Sequence, residues 1–200
     1  MNDAHLVMHG LAIKKHATPE DVAGVLGLEP DAVRETLSKL VAARRVVEAQ
    51  GRYLLSPAAR MLLDTDYSRY YGDLRANADF QAGYAGFERL NGALKQLMTD
   101  WQTIVVRGDR LPNDHSDKDH DAKIIDRLGD LHERAEPVLD RLASALPRLA
   151  IYRDKLEAAL HKAEKGAIAW VSDAKIESYH TVWYELHEDL LRLTQRERSE

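Results

Sequence analysis

The chain has 200 residues, 44% hydrophobic and 30% charged, with a formal net charge of −5, which fits one large or two small folded domains and excludes a disordered chain. It has no cysteine, which excludes disulfides, thiolate metal centres and cysteine nucleophiles. The longest apolar run, Ala167 to Val171, is far too short to cross a bilayer, and the opening residues lack a basic segment followed by an apolar stretch; a cytoplasmic protein without membrane contact is expected.

Leu6, Val7, Leu11 and Ile13 predict a short first helix ending near Lys15 and His16. Thr18-Pro19-Glu20-Asp21 is a helix start: Thr18 caps free amides, Pro19 suits the first helical position, and the acids favour the positive end of the dipole. Val22, Val25 and Leu26 form the inner face of this second helix, and Gly27 ends it. Pro30-Asp31 opens a third helix with Val33, Leu37, Leu40 and Val41 at helical spacing, leaving Arg34, Glu35, Thr36, Ser38, Lys39 and Ala42 outward. Val46-Val47 and Tyr53-Leu54-Leu55 flank a Gly51-containing turn and read as a hairpin with Arg52 at or just past its tip. Ser56-Pro57 then caps a fourth helix.

Between residues 34 and 60 lie six basic side chains, Arg34, Lys39, Arg44, Arg45, Arg52 and Arg60, against only Glu35 and Glu48. A basic patch on an acidic body is compatible with nucleic acid, because attraction to phosphate is screened beyond about 8–10 Å.

This order of three helices, strand, Gly-tipped turn and strand, over Leu11 to Arg60, resembles the winged helix-turn-helix of bacterial transcription regulators of the MarR and PadR kind. Three positions depart from the pattern. Glu29 stands where Ser or Thr caps the recognition helix, Arg44 where Gly follows it, and Ala59 where Gly follows Pro-Ala. The resemblance implies a homodimer on double-stranded operator DNA. Arg34, Thr36, Ser38 and Lys39 would meet base edges, and Arg44, Arg45 and Arg52 would meet phosphates.

Beyond residue 60, a stripe over 57–75 with Met61, Leu62, Tyr70, Tyr71 and Leu74 predicts a connecting helix. Four further stripes have helical period: Phe80 to Trp101, Ile124 to Leu142, Leu149 to Ala163, and Ile176 to Leu193. Pro137 should kink or interrupt the second of these. The expected fold is mainly α. A winged helix-turn-helix with a small β-hairpin covers 1–60, a connecting helix 61–78, and an antiparallel helical bundle 79–200 for dimerisation or an effector. Tyr84, Phe87, Trp101, Tyr152, Tyr179, Trp183 and Tyr184 either pack as core or line a pocket for a small-molecule effector.

The stretch 109–121 is the most polar, with Asp114, His115, Asp117, Asp119, His120 and Asp121, and reads as a solvated loop whose Asp caps the next helix. It lacks the central Gly and closing Glu of a calcium loop. His115, His120, His180 and His187 are weak metal candidates; His180 and His187 share one helix side about 10.5 Å apart, too far for one ion unaided. No phosphate-cradling Gly loop, Gly-x-Ser-x-Gly elbow or His-Glu-x-x-His motif is present, no cofactor is required, and the chain is not expected to be an enzyme. Two other readings follow from the residues. One is a docking or accessory subunit of an enzyme system, for example a phosphotransferase, favoured by the acidity, Glu29, Arg44 and Ala59. The other is a ligand- or metal-binding bundle resting on the histidines.

Overall fold

The computed structural model describes residues 3–197. They are mainly helical, with nine α-helices and two small antiparallel hairpins among the described residues. None of the helices is long and apolar enough to cross a membrane. The chain divides into two compact units. One holds the residues up to Asn77 together with those from Glu185 onward, and the other is Ala78–Tyr184.

In the first unit, α1 (Asp3–Lys14) is buried on every side from Val7 to Ile13, which makes it a core helix rather than an amphipathic one. Thr18 caps α2 (Pro19–Leu26) in a full capping box: its side chain accepts from the Asp21 amide while the Asp21 carboxylate accepts from the Thr18 amide. Gly27, at φ 69°, ends α2 in the left-handed conformation. Helix α3 (Pro30–Ala42) buries Val33, Leu37 and Leu40; Glu29 stands at its cap position without a side-chain bond to it.

Strands β1 (Val46–Ala49) and β2 (Arg52–Leu55) pair through a two-residue turn in which Gln50 (φ 55°) and Gly51 (φ 73°) both have positive φ, the geometry that matches strand twist. Tyr53 exchanges two backbone hydrogen bonds with Ala17, so the hairpin is fastened to the loop between α1 and α2. Ser56 caps α4 (Pro57–Ala76) by accepting from the Ala59 amide. The buried stripe of α4 is Ala59, Leu63, Tyr67 and Tyr71, spaced by fours. The expected stripe is therefore corrected: Met61 and Leu62 face solvent, with Met61 74% exposed.

In the second unit, α5 (Ala78–Gln102), α6 (Lys118–Ala145) and α7 (Ala150–Glu164) pack in succession. Helix α6 is not interrupted at Pro137. Both Pro137 and Glu133, whose carbonyl loses its usual donor, lie on the side open to solvent, while Ala135, Leu139 and Leu142 stay packed. Between α5 and α6 the chain forms a second hairpin, β3 (Thr103–Val106) and β4 (Asp109–Pro112), closed by Arg107 (φ 54°) and Gly108 (φ 94°). Part of the stretch expected as loop is thus strand. The short α8 (Ala169–Ser172) follows α7, and α9 (Tyr179–Thr194) closes the fold and contributes to both units. Ile176, expected on that last stripe, falls in the preceding turn. Phe87, Trp183 and Tyr179 stack with centroids 4.7 and 6.1 Å apart, and the Trp183 indole donates to Asn91 Oδ1 at 3.1 Å, so these aromatics are core.

Two glycines set how closely α5 approaches α6. A Cβ on Gly86 would stand 2.9 Å from Val138 Cγ2, and one on Gly83 3.0 Å from Leu142 Cδ2. Valine is stiff about χ1, so the clash at Gly86 is not relieved by a rotamer change. Gly86→Ala is expected to lower stability by about 1–3 kcal/mol. Gly92→Ala, on the open side of the same helix, should raise it by about 0.5–1 kcal/mol, as read from urea unfolding midpoints.

Candidate functional site

The outward side of α3, the turn after it and the hairpin carry the residues expected to meet nucleic acid, and three of them, Arg34, Lys39 and Arg52, are paired with acids. Arg34 is about half exposed and bonds to Glu20 on α2 and to Asp31 one turn back on α3. Hydrogen bonds from its own backbone and from Arg34 hold the Glu20 carboxyl below the usual carboxylate range. Lys39 Nζ donates to Glu35 Oε1 at 2.6 Å, and this hydrogen bond lowers the Glu35 pKa. Ser38 is exposed, its hydroxyl donating to the Arg34 carbonyl at 3.0 Å; Thr36 is half-buried.

Arg44 and Arg45 are exposed and make no ion pair among the described residues. Arg44 has φ 57°, the left-handed conformation that favours glycine. Arg52 does not project from the hairpin tip. Its guanidinium donates to the His16 carbonyl at 2.9 Å and approaches Asp21 Oδ2 at 3.3 Å, tying the hairpin to the start of α2.

The metal candidates are used otherwise. His115 Nδ1 lies 3.0 Å from Asp121 Oδ1, and its ring packs on Trp101 with centroids 4.5 Å apart. Asn113 Nδ2 donates to the Trp101 carbonyl and to Asp121, locking the loop onto the end of α5. His120 Nε2 lies 3.2 Å from the Asp100 carbonyl oxygen, and Asp117 caps α6 by accepting from the Asp119 and His120 amides. His180 and His187 fall in different units, and among the described residues no three His, Asp or Glu side chains stand close enough to share an ion.

The sequence reasoning missed a buried polar cluster on α1. His9 is fully buried; its Nδ1 lies 2.7 Å from Tyr67 Oη on α4 and its Nε2 2.9 Å from Asp189 Oδ1 on α9. His5 packs edge-on to Tyr67 and beside Tyr70 and Tyr71. Nearby, Lys14 Nζ donates to Glu185 Oε1 at 2.6 Å. The signal available in the sequence was two histidines one helical turn apart on an otherwise apolar helix.

Compared with protein-family models, curated proteins and solved structures, the chain gives no significant match.

Removing one partner from the buried His9–Asp189 hydrogen bond leaves the other unsatisfied. Asp189→Ala is expected to cost about 1–3 kcal/mol in denaturant unfolding. A His9–Asp189 double-mutant cycle should give a coupling of about 1 kcal/mol or more; additive effects would contradict the contact.

In the second unit, desolvation holds the His132 imidazole below the ordinary histidine range, with Glu136, Glu157 and Glu164 opposing it weakly; its Nδ1 meets Tyr179 Oη at 3.2 Å. Desolvation lowers His180 likewise. The folded state therefore binds fewer protons than the unfolded one, and stability is lost as pH falls through about 6.5. The stability difference between the native chain and His132→Gln should shrink between pH 7.5 and 5, measured by urea unfolding at each pH.

Proposed function

We propose that the chain is a DNA-binding transcription regulator in which α2 and α3 form a helix-turn-helix and β1–β2 the wing. The observation that carries this reading is one compact unit with the element order α1-α2-α3-β1-β2, the polar side of α3 in solvent, and Arg44 and Arg45 exposed just beyond its end. In such an arrangement α3 lies in the major groove, with Arg34, Thr36, Ser38 and Lys39 toward base edges and Arg44 and Arg45 toward phosphates. Arg52 orients the hairpin through His16 and Asp21.

The acids beside Arg34 and Lys39 do not forbid this. Exposed ion pairs contribute about 0–1 kcal/mol each, so exchanging a carboxylate for a phosphate costs little. A cytoplasmic homodimer would place two α3 helices about 34 Å apart, one DNA turn. The same pairing, of Arg34 with Glu20 and Asp31, Lys39 with Glu35, and Arg52 with Asp21, favours a second reading, a protein-docking module in an enzyme system.

Fluorescence anisotropy with duplex fragments flanking the gene, from 50 to 200 mM salt, separates the two. The regulator reading predicts binding that weakens steeply with salt. Arg44→Ala and Arg45→Ala should each flatten the log–log slope by about 0.9 and weaken all sequences alike. No binding to any duplex at 50 mM salt would overturn it in favour of docking.

A further inference from the structure

Among the described residues no third strand flanks the β3–β4 hairpin. Strand β4 is exposed along its whole length, and so are Val105 and Val106 of β3. Val105, Val106 and Leu111 are 64%, 44% and 46% exposed, which gathers apolar surface onto one hairpin. A two-stranded hairpin is marginally stable in water on its own and gains from further strands.

The two edges of this hairpin differ. Strand β4, Asp109-Arg110-Leu111-Pro112, is guarded: it carries two charges, and Pro112 has no N–H to give. Strand β3, Thr103-Ile104-Val105-Val106, has no charge and no proline, and all four residues are β-branched. The two-residue turn makes Val106 and Asp109 a hydrogen-bonded pair, and with them Ile104 and Leu111. The backbone N–H and C=O groups of Thr103 and Val105 therefore point away from β4, along an unguarded edge.

We propose that this edge of β3 pairs with β3 of a second copy of the chain, antiparallel about a two-fold axis, joining two hairpins into one four-stranded sheet. One register satisfies both outward residues: Thr103 opposite Val105 of the second copy, in both directions, with Ile104 on the axis. Opposite residues share a face, so Ile104, Val106 and Leu111 of both copies form one apolar side. A strand paired about a two-fold meets its own sequence, and an uncharged strand does so without repulsion; that argues for a second copy over an unrelated strand. The pairing supplies the homodimer contact of the regulator reading, but it is measured without DNA, so either can fail alone.

Sedimentation velocity of the full chain, over a hundredfold range of concentration, tests it. The expected result is a reversible monomer–dimer equilibrium with a Kd of about 100 µM or tighter. Val105→Lys sets two lysines near the axis and should weaken the dimer at least about 10-fold, with an unchanged circular dichroism spectrum. The chain has no cysteine, so Ile104→Cys reports on the axis alone. Facing Cα atoms in that position stand about 4.5 Å apart, within disulfide reach, so mild oxidation should link two copies. Arg110→Cys, on the guarded edge, should stay unlinked. A monomer at the highest concentration, a dimer that Val105→Lys leaves intact, or linkage through Arg110→Cys as efficient as through Ile104→Cys overturns the proposal.

Discussion

The imidazole of His9 is fully buried and hydrogen-bonded at both ring nitrogens, and the first unit depends on that arrangement. Its two partners lie 58 and 180 residues away in the chain, on α4 and α9. A polar ring in an apolar core is costly unless each nitrogen finds a partner, and a buried carboxylate such as Asp189 is costlier still. The cluster therefore specifies one register in which α1, α4 and α9 meet. The Lys14–Glu185 ion pair adds a tie at the other end of α1. Apolar residues alone would let these helices slide; a bond from each ring nitrogen does not.

That fixed core positions the outer elements. The α1–α2 loop bonds to β2 through Ala17 and Tyr53, and Arg52 reaches back to His16 and Asp21. The hairpin is thus set against α2 by both backbone and side chain, with α3 presented beyond it. On this frame the exposed charges of α3 form weak, exchangeable pairs.

Local signals were legible in the sequence. Thr18-Pro19 and Ser56-Pro57 cap as expected, Gly27 ends α2, and Gln50-Gly51 turns the hairpin, because each depends on a few adjacent residues. The stripe from Phe80 to Trp101 reads correctly because burial there is one-sided. What failed was non-local or two-sided. Helix α1 is buried all round, so the only sign that His5 and His9 are core residues was their one-turn spacing among apolar neighbours. The β3–β4 hairpin was hidden because β4, Asp109-Arg110-Leu111-Pro112, is wholly exposed and shows no alternation. Pro137 was tolerated because it falls on the wet side of α6. Of the proposed DNA-contacting residues, the outward position of Arg34, Ser38 and Lys39 was readable from periodicity. The Glu20 partner of Arg34 on α2, and the bonds of Arg52 to His16 and Asp21, were not, since both need the tertiary fold.

If His9 welds α1 to α9, these segments open together. Native-state hydrogen exchange on the amides of Met8 to Ile13 and of His187 to Leu191 tests this directly. The account predicts a single opening free energy shared by both segments, equal to that of the whole first unit. Exchange of the α9 amides through a separate, lower-energy opening, with α1 still protected, would contradict it.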